Sequence, residues 1–503
     1  MNIENKYGYK GVIVIPIVLR AWFREKIKGG NSMSSNNDGH EELQRRLSPR
    51  LVSMIALGGA IGTGLFLASG YAVNTAGPGG ALVAYGVIAF MVYFIMTGLT
   101  EMATHMPVAG SFETYSTKYV DPALGFAMGW NYWFAWAITL GVEVVAGGIL
   151  MKYWFPDVPV LIWSGLFLLL LFGVNMLSVK VFGEAEFFFA GIKVATVIIF
   201  LVIGVLMMFG IVGGHSVGLS NYTSNGGPFP HGYMAIVQIA FAAAFAFQGT
   251  ELLGIVAGES ENPQETLPKA NKSLIWRVVL FYVGAIAIVG ALIPWSEAGV
   301  ETSPFTTIFE MSGIPYAADI MNFVIITALL SVGNSGVYAS SRVLYALAKE
   351  GKAPKSLGKI SKNGVPLNAL IVTVLVGCFA FLTGFYAEAT VYMWLLSMSG
   401  LTGLFTWLGI SYTHLRFRKI YLAEHGDLSG LKYVAPWYPI GSILAIVICS
   451  VVTIGTVIDP ASRLSVLLGV PAFALLWIGY KVKYKTKFVT IPKGNNKSST
   501  ISG

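Results

Sequence analysis

Twelve apolar runs of about twenty residues divide this sequence, and they constrain its fold more tightly than any motif. They lie at roughly 51–70, 81–103, 124–151, 160–178, 187–212, 233–257, 276–294, 316–346, 367–385, 389–413, 436–457 and 464–481. A run of that length crosses ~30 Å of hydrocarbon as a helix. No water reaches the backbone there, so each segment must satisfy its own N–H and C=O groups, and a helix does so. Only 12% of the 503 residues are charged, whereas a soluble chain carries about a quarter. The expected class is an all-α polytopic membrane protein with twelve transmembrane helices, rather than a string of soluble domains.

The charges that remain are sorted by side. The connections 152–159, 213–232, 295–315, 386–388 and 458–463 contain only Lys152 and Arg463 as basic residues. The alternate connections hold Arg45, Arg46, Arg50, Lys118, Lys180, Lys269, Lys272 and Arg277. They continue with Lys349, Lys352, Lys355, Lys359, Lys362, Arg416, Arg418, Lys419 and Lys432, and a lysine-rich tail begins at Lys481. Basic residues are retained on the cytoplasmic side, so both termini are expected in the cytoplasm of a multi-pass cell-membrane protein. The net charge of +8 is accounted for by this arrangement, and no nucleic-acid partner is expected.

Several chemistries are excluded. Cys378 and Cys449 both fall inside apolar runs with no metal-ligand neighbour, so neither a disulfide framework nor a metal site is expected. The six histidines show no ligand spacing, and neither GxSxG nor HExxH occurs. No cofactor is expected, and the chain is not read as an enzyme. A channel would need a continuous polar pore, whereas the polar groups here cluster at two places.

The expected organisation is an N-terminal cytoplasmic segment (1–46), a permease domain (47–485) and a cytoplasmic tail (486–503). Within the domain, repeat one spans about 51–212, repeat two about 233–413, and two peripheral helices about 436–481. Residues 11–19 (GVIVIPIVL) are apolar but too short to span, and Pro16 interrupts them. They lack the small-residue cleavage site of a secretory signal. Lys28-Gly29-Gly30 can be encoded by AAAGGAGG, a ribosome-binding sequence, so translation is expected to begin at Met33. N-terminal mass spectrometry of the native protein tests this, and a peptide from residues 1–32 would refute it.

The polar clusters fall on two helices. Residues 57–66 (LGGAIGTGLF) put Gly58, Gly59, Gly62 and Gly64 into the first span. Glycine weakens helix continuity and frees N–H groups that need partners at membrane depth. Residues 245–254 (FAFQGTELLG) interrupt the sixth span with Gln248, Thr250 and Glu251. An ionisable residue inside a span costs about 3 kcal/mol on insertion scales and usually faces a wet cavity. Gly62-Thr63-Gly64-Leu65 aligns with Gly249-Thr250-Glu251-Leu252, each near the first span of a five-helix set. Interrupted helices in matching halves point to an inverted-repeat transporter. A zwitterion can enter such a site because a half-helix N-terminus suits a carboxylate and a half-helix C-terminus suits an ammonium.

The stretches GGAIGTGLF (58–66), AGPGGAL (76–82), GSFETY (110–115), GFAMGWNYW (125–133), FGEAEF (182–187), FQGTELLGIVAGES (247–260) and SVGNSGVYASSRVLYALAKEGKAPK (331–355) carry a resemblance. Over residues 43–485 the sequence resembles amino acid permeases of the amino acid–polyamine–organocation superfamily, most closely bacterial lysine-specific permeases. The resemblance implies a leucine-transporter (LeuT) type fold, with helices 1–5 and 6–10 as inverted repeats and helices 1 and 6 discontinuous. It implies that Ile61, Gly62, Thr63 and Gly64 receive the substrate carboxylate, and that carbonyls near Phe245, Ala246, Phe247 and Gln248 receive its α-amine. Tyr132 and Trp136 match positions lining the pocket; helix packing or an interfacial belt is the alternative for both. Glu251 is expected to face a basic side chain or to take part in proton movement. Lys193, in the fifth span, matches the lysine that stands where sodium sits in sodium-coupled relatives, and would bridge the first and eighth helices as the proton-coupling residue. Phe245, Glu143 and Glu259 are the gating candidates, with Glu143 left open between a gate and a lysine partner. Glu101 is read as sitting at the cytoplasmic boundary.

The implied function is proton-coupled uptake by alternating access. The expected partners are a free amino acid, lysine first, with a proton and membrane lipid. One departure widens the choice. The lysine permeases carry a longer, acidic loop before the last helix, whereas here IDPASRLS (458–465) leaves Asp459 as its only acid. Arginine, histidine or a neutral amino acid therefore remains open, as does a transporter-like amino acid sensor.

Overall fold

The computed structural model describes residues 52–492 except 53, 55–57, 109, 177–178, 215, 261, 362–363 and 459–461, and describes no side chains for 179–185, 187 or 259. The expectations about Met33, residues 1–46, Asp459 and the far end of the tail lie outside the described residues.

Every expected span has its helix. The first and second spans together occupy residues 58–105, and the later ones are Pro122–Met151, Val160–Asn175, Val179–Met208, Met234–Phe247 with Leu252–Ile255, Pro263–Leu292 and Ala317–Lys349. The ninth, Leu367–Gly377, continues as a tighter 3-10 helix over Cys378–Gly384, and Glu388–His425, Ile440–Gly455 and Arg463–Tyr484 complete the set. Among the described residues nine helices are long and apolar enough to cross a membrane, and Val160–Asn175 and Ile440–Gly455 are shorter apolar helices.

Three boundaries differ from the sequence reading. The first and second spans are not separated by a loop, because Ala68–His105 runs on through a kink at Gly77, whose φ is +77°. Glycine enters that left-handed region freely, and Pro78 cannot donate to the preceding turn, so the chain changes direction in one step. The seventh and tenth helices also run well past their apolar stretches, the tenth through Arg416, Arg418 and Lys419. Hydropathy marks only the length of a helix that is in lipid.

Burial differs from that of a soluble protein in that apolar side chains cover the outside as well as fill the core. In the third span 89% of the apolar stretch is buried, and the helix carries Asn131, Thr139 and Glu143 inward. In the peripheral twelfth only 11% of the apolar stretch is buried. Leu169, Ile454 and Leu475 are about 70% exposed, as apolar side chains facing hydrocarbon would be.

The packing is that of two five-helix repeats. The second span packs on the seventh and the third on the eighth, each pair being equivalent positions of the two repeats. The fifth packs on the seventh and eighth, and the tenth answers on the second and third. The eleventh lies against the second and tenth, and the twelfth against the third and tenth, outside this symmetry.

The tail is partly tied down. Lys481 Nζ donates to Asp121 Oδ2 at 2.8 Å while Asp121 Oδ1 caps the third span through Ala123 N at 2.9 Å. Burial raises the Asp121 carboxyl, but Lys481 and that amide outweigh it and hold it below the usual carboxylate range. Val489 N then donates to Val120 O at 2.8 Å.

Candidate functional site between two broken helices

The first span unwinds at Ile61 and Gly62 before helix resumes over Thr63–Phe66. The sixth stops at Phe247, turns through 248–251, and restarts at Leu252. Gly249 permits that turn, since its φ is +100° and a Cβ there would lie 2.6 Å from Gly59 O. The two breaks therefore touch.

Several of the freed peptide groups have found side chains. Ala60 O accepts from Tyr282 Oη at 2.7 Å, Gly64 O from Tyr85 Oη at 3.2 Å and Gly58 O from Lys193 Nζ at 2.7 Å. Thr63 N donates to Glu143 Oε1 at 3.4 Å, and Thr63 Oγ1 meets Tyr392 Oη at 3.0 Å. Two tyrosine hydroxyls, of Tyr85 and Tyr282, thus take over part of the hydrogen bonding that an intact helix would supply.

A small crevice remains. Gly59, Ala60, Gly62 and Gly64 line it from the first span, Phe245 and Gln248 from the sixth, Trp136, Thr139 and Glu143 from the third, and Val332 from the eighth. Its cavity has room for about one water molecule. Glu143 Oε2 and Gln248 Nε2 are buried there without a hydrogen-bond partner among the described residues. Gln248 Oε1 is fixed by Ser399 Oγ at 3.1 Å, and Ser399 in turn meets Thr139 at 2.6 Å. The arrangement can solvate a polar solute once the helices part.

The expected residues divide into three groups. Gly62, Gly64, Trp136, Glu143, Phe245 and Gln248 line the crevice. Ile61, Thr63, Ala246 and Phe247 are buried in the same breaks without lining it, and Tyr132 lies behind, edge-on to Phe112 at 4.8 Å. Glu251 stands apart from both. It folds back onto Gly249 N at 3.0 and 3.1 Å and accepts from Trp407 Nε1 at 3.3 Å. No lysine or arginine among the described residues pairs with it, because its own turn supplies the nearest donor. The side chain of Glu259 is outside the described residues.

Lys193 is 0% exposed and reaches the first span directly. Its carboxylate neighbour is Glu186, at 3.8 Å, and Glu186 accepts Ser331 Oγ at 2.8 and 2.9 Å. Contact with the eighth helix therefore runs through Glu186. Glu143, left open as a lysine partner, has Thr63 N instead. The sequence reading passed over Glu186, yet a signal existed: it lies seven residues before Lys193, two helical turns away and on the same face. Glu101, read as a boundary residue, is 0% exposed and held by Arg418.

Comparison with known proteins bears on this geometry. The family described as amino acid permease matches residues 52–493. A lysine-specific permease of Escherichia coli (strain K12) is 47% identical over 464 residues, covering 89% of this chain and 95% of its own. A histidine permease of Lactococcus lactis subsp. cremoris (strain MG1363) is 43% identical, covering 90% and 98%. In fold, the chain is similar to a crystal structure of a mutant Eremococcus coleocola manganese transporter, with TM-score 0.53 at 13% identity, covering 90% and 98%.

Proposed function

We propose, from the premise that this chain belongs to the amino acid permease family, that it carries a cationic amino acid into the cell together with a proton, lysine being the first choice. The transport class and the absence of an enzymatic role follow from that membership; the substrate and the coupling ion are the reading made here. One observation carries it: two unwound helices meet at a buried crevice, lined by Gly59, Ala60, Gly62 and Gly64 on one side and by Phe245 and Gln248 on the other.

The substrate carboxylate takes the N–H groups of Ile61–Gly64 and displaces Glu143 from Thr63. The α-ammonium takes carbonyls at Phe245–Phe247 and the Gln248 amide oxygen. Trp136 and Phe245 close over it, with Tyr132 supporting the third span behind Trp136. A cation suits these surroundings, because three buried acids, Glu143, Glu186 and Glu251, stand around the breaks and Lys193 is the one buried ammonium among the described residues. An acid ionised there without a partner is costly, so a substrate cation that pairs with it is favoured. The lysine permease relative at 47% identity puts lysine ahead of histidine.

The lysine-rich end faces the cytoplasm, which puts both termini there in the cell membrane. An inside-negative potential then supplies about 2.3 kcal/mol per charge per 100 mV. Substrate and proton enter from outside; the first, second, sixth and seventh helices rock against the third, fourth, eighth and ninth; both are released inside. Lys193, seated on Gly58 O, reports protonation to the first helix.

Competition of radiolabelled lysine uptake into proteoliposomes by all twenty amino acids, with and without sodium, tests the substrate and the ion. Sodium dependence, or no inhibition by unlabelled lysine, overturns the reading, and binding without uptake identifies a sensor. Lys193→Ala is expected to leave uptake indifferent to an imposed pH gradient, and unchanged pH dependence contradicts its role. Glu251→Gln is expected to cut uptake with expression intact, and wild-type uptake counts against it.

A further inference from the structure

We infer that Glu186 is a positioning residue for the coupling step: it is the fixed counter-ion that holds the Lys193 ammonium between the first and eighth helices. The inference rests on the proton-coupling role proposed for Lys193 and adds the partner that makes this role physically workable.

The geometry is specific. Glu186 and Lys193 lie on one face of the fifth span, 1% and 0% exposed, with Nζ and Oε1 3.8 Å apart. Nζ is not spent on that pair alone, since its 2.7 Å bond goes to Gly58 O. Both carboxylate oxygens of Glu186 receive Ser331 Oγ from the eighth helix. One buried ammonium and one buried carboxylate therefore join three helices, and the joint at Gly58 stands three residues before the unwound Ile61.

Other charges do not substitute. From the third helix, Glu143 is the remaining carboxylate that influences Lys193, but its Oε1 is engaged by Thr63 N. From the seventh and tenth helices, the titratable groups nearby are the hydroxyls of Tyr282 and Tyr392, which bond to Ala60 O and Thr63 Oγ1. The eighth contributes the neutral Ser331.

A consequence follows for the proton. When Lys193 is charged, the pair is neutral and Gly58 O is held. When Lys193 gives up its proton, the Glu186 carboxylate is left uncompensated in a dry interior, and the hold on Gly58 weakens. A carboxylate beside an amine favours the protonated amine, so Glu186 sets how acidic the outside must be before uptake proceeds.

The test is the pH profile of radiolabelled lysine uptake by the full chain in proteoliposomes, or of arginine or histidine should the wild type not carry lysine. Glu186→Gln is expected to move the midpoint to lower pH by about one unit or more. Glu186→Asp, which keeps the charge but withdraws it by one methylene, is expected to move it less in the same direction. It carries the test if the Gln variant does not reach the membrane. A wild-type midpoint in both recovered variants, or in the Asp variant alone when only that is recovered, overturns the inference. If Lys193→Ala abolishes pH dependence while the Glu186 variants leave the midpoint unmoved, Glu186 is wrong and the Lys193 reading survives. If Lys193→Ala retains the wild-type profile, the coupling reading itself falls.

Discussion

Gly64→Ala is expected to lower uptake by about tenfold or more while the protein accumulates normally in the membrane. At Gly64 the first helix touches the backbone of the sixth, and a Cβ there would overlap Ala246 Cα. A flexible side chain could swing aside, but a backbone atom cannot, so the two breaks must separate. Overpacking of this kind costs about 1–3 kcal/mol. Each 1.4 kcal/mol charged to a transport step slows it about tenfold. Gly86→Ala is the control, because nothing lies within 4 Å of a Cβ at that position, and it should transport like wild type. Equal uptake by the two variants would mean that the closed contact between the breaks is not part of the cycle.

Arg418→Ala is expected to give the largest loss of stability, about 3–5 kcal/mol, the usual result of removing one partner from a buried ion pair. Arg418 is 4% exposed and Glu101 is 0% exposed. The guanidinium engages both carboxylate oxygens, with Nε on Oε1 at 2.6 Å and Nη2 on Oε2, and stacks 4.7 Å over Tyr438. Ala435 N and His414 Nε2 also face Oε2, at 2.5 and 3.5 Å. Glu101 is on the second helix, Arg418 on the tenth and Ala435 in the connection that follows, so the pair fastens three separate stretches. Arg418→Lys should recover little, because an ammonium cannot reproduce the two-pronged contact. Glu101→Leu combined with Arg418→Met should recover much of the loss, since no lone charge then remains buried. Thermal unfolding of the detergent-solubilised protein reads all three, and an unshifted midpoint for Arg418→Ala would show the carboxylate is satisfied without it.

How much of this was legible in the sequence varied with the range of the interaction. The break at Gly62 and the break at Gly249 were both visible, because a glycine pair or a polar triplet inside an apolar run stands out against its neighbours. Trp136, Phe245 and Gln248 were placed at the crevice on resemblance, and the structure puts them there. Glu251 was also visible, but not its fold-back onto Gly249, which depends on the shape the turn takes. Glu101 reads as a boundary residue from its place at the end of an apolar run. Its partner, Arg418, is 317 positions away, so nothing local announces the pair. Glu186 was legible in principle as an i, i+7 neighbour of Lys193, although Ser331 was not.

The sequence alone determined the helix count, the points of interruption and the sorting of basic residues to one end. A bilayer enforces these features locally, since every twenty-residue segment must satisfy its own backbone and keep its charges out of hydrocarbon. Only the tertiary structure decided which carboxylate serves Lys193, which amide Glu143 holds, and that the two interruptions meet at Gly64 and Ala246. Those outcomes depend on how helices far apart in sequence pack, and a buried charge takes whichever partner packing brings within hydrogen-bonding reach.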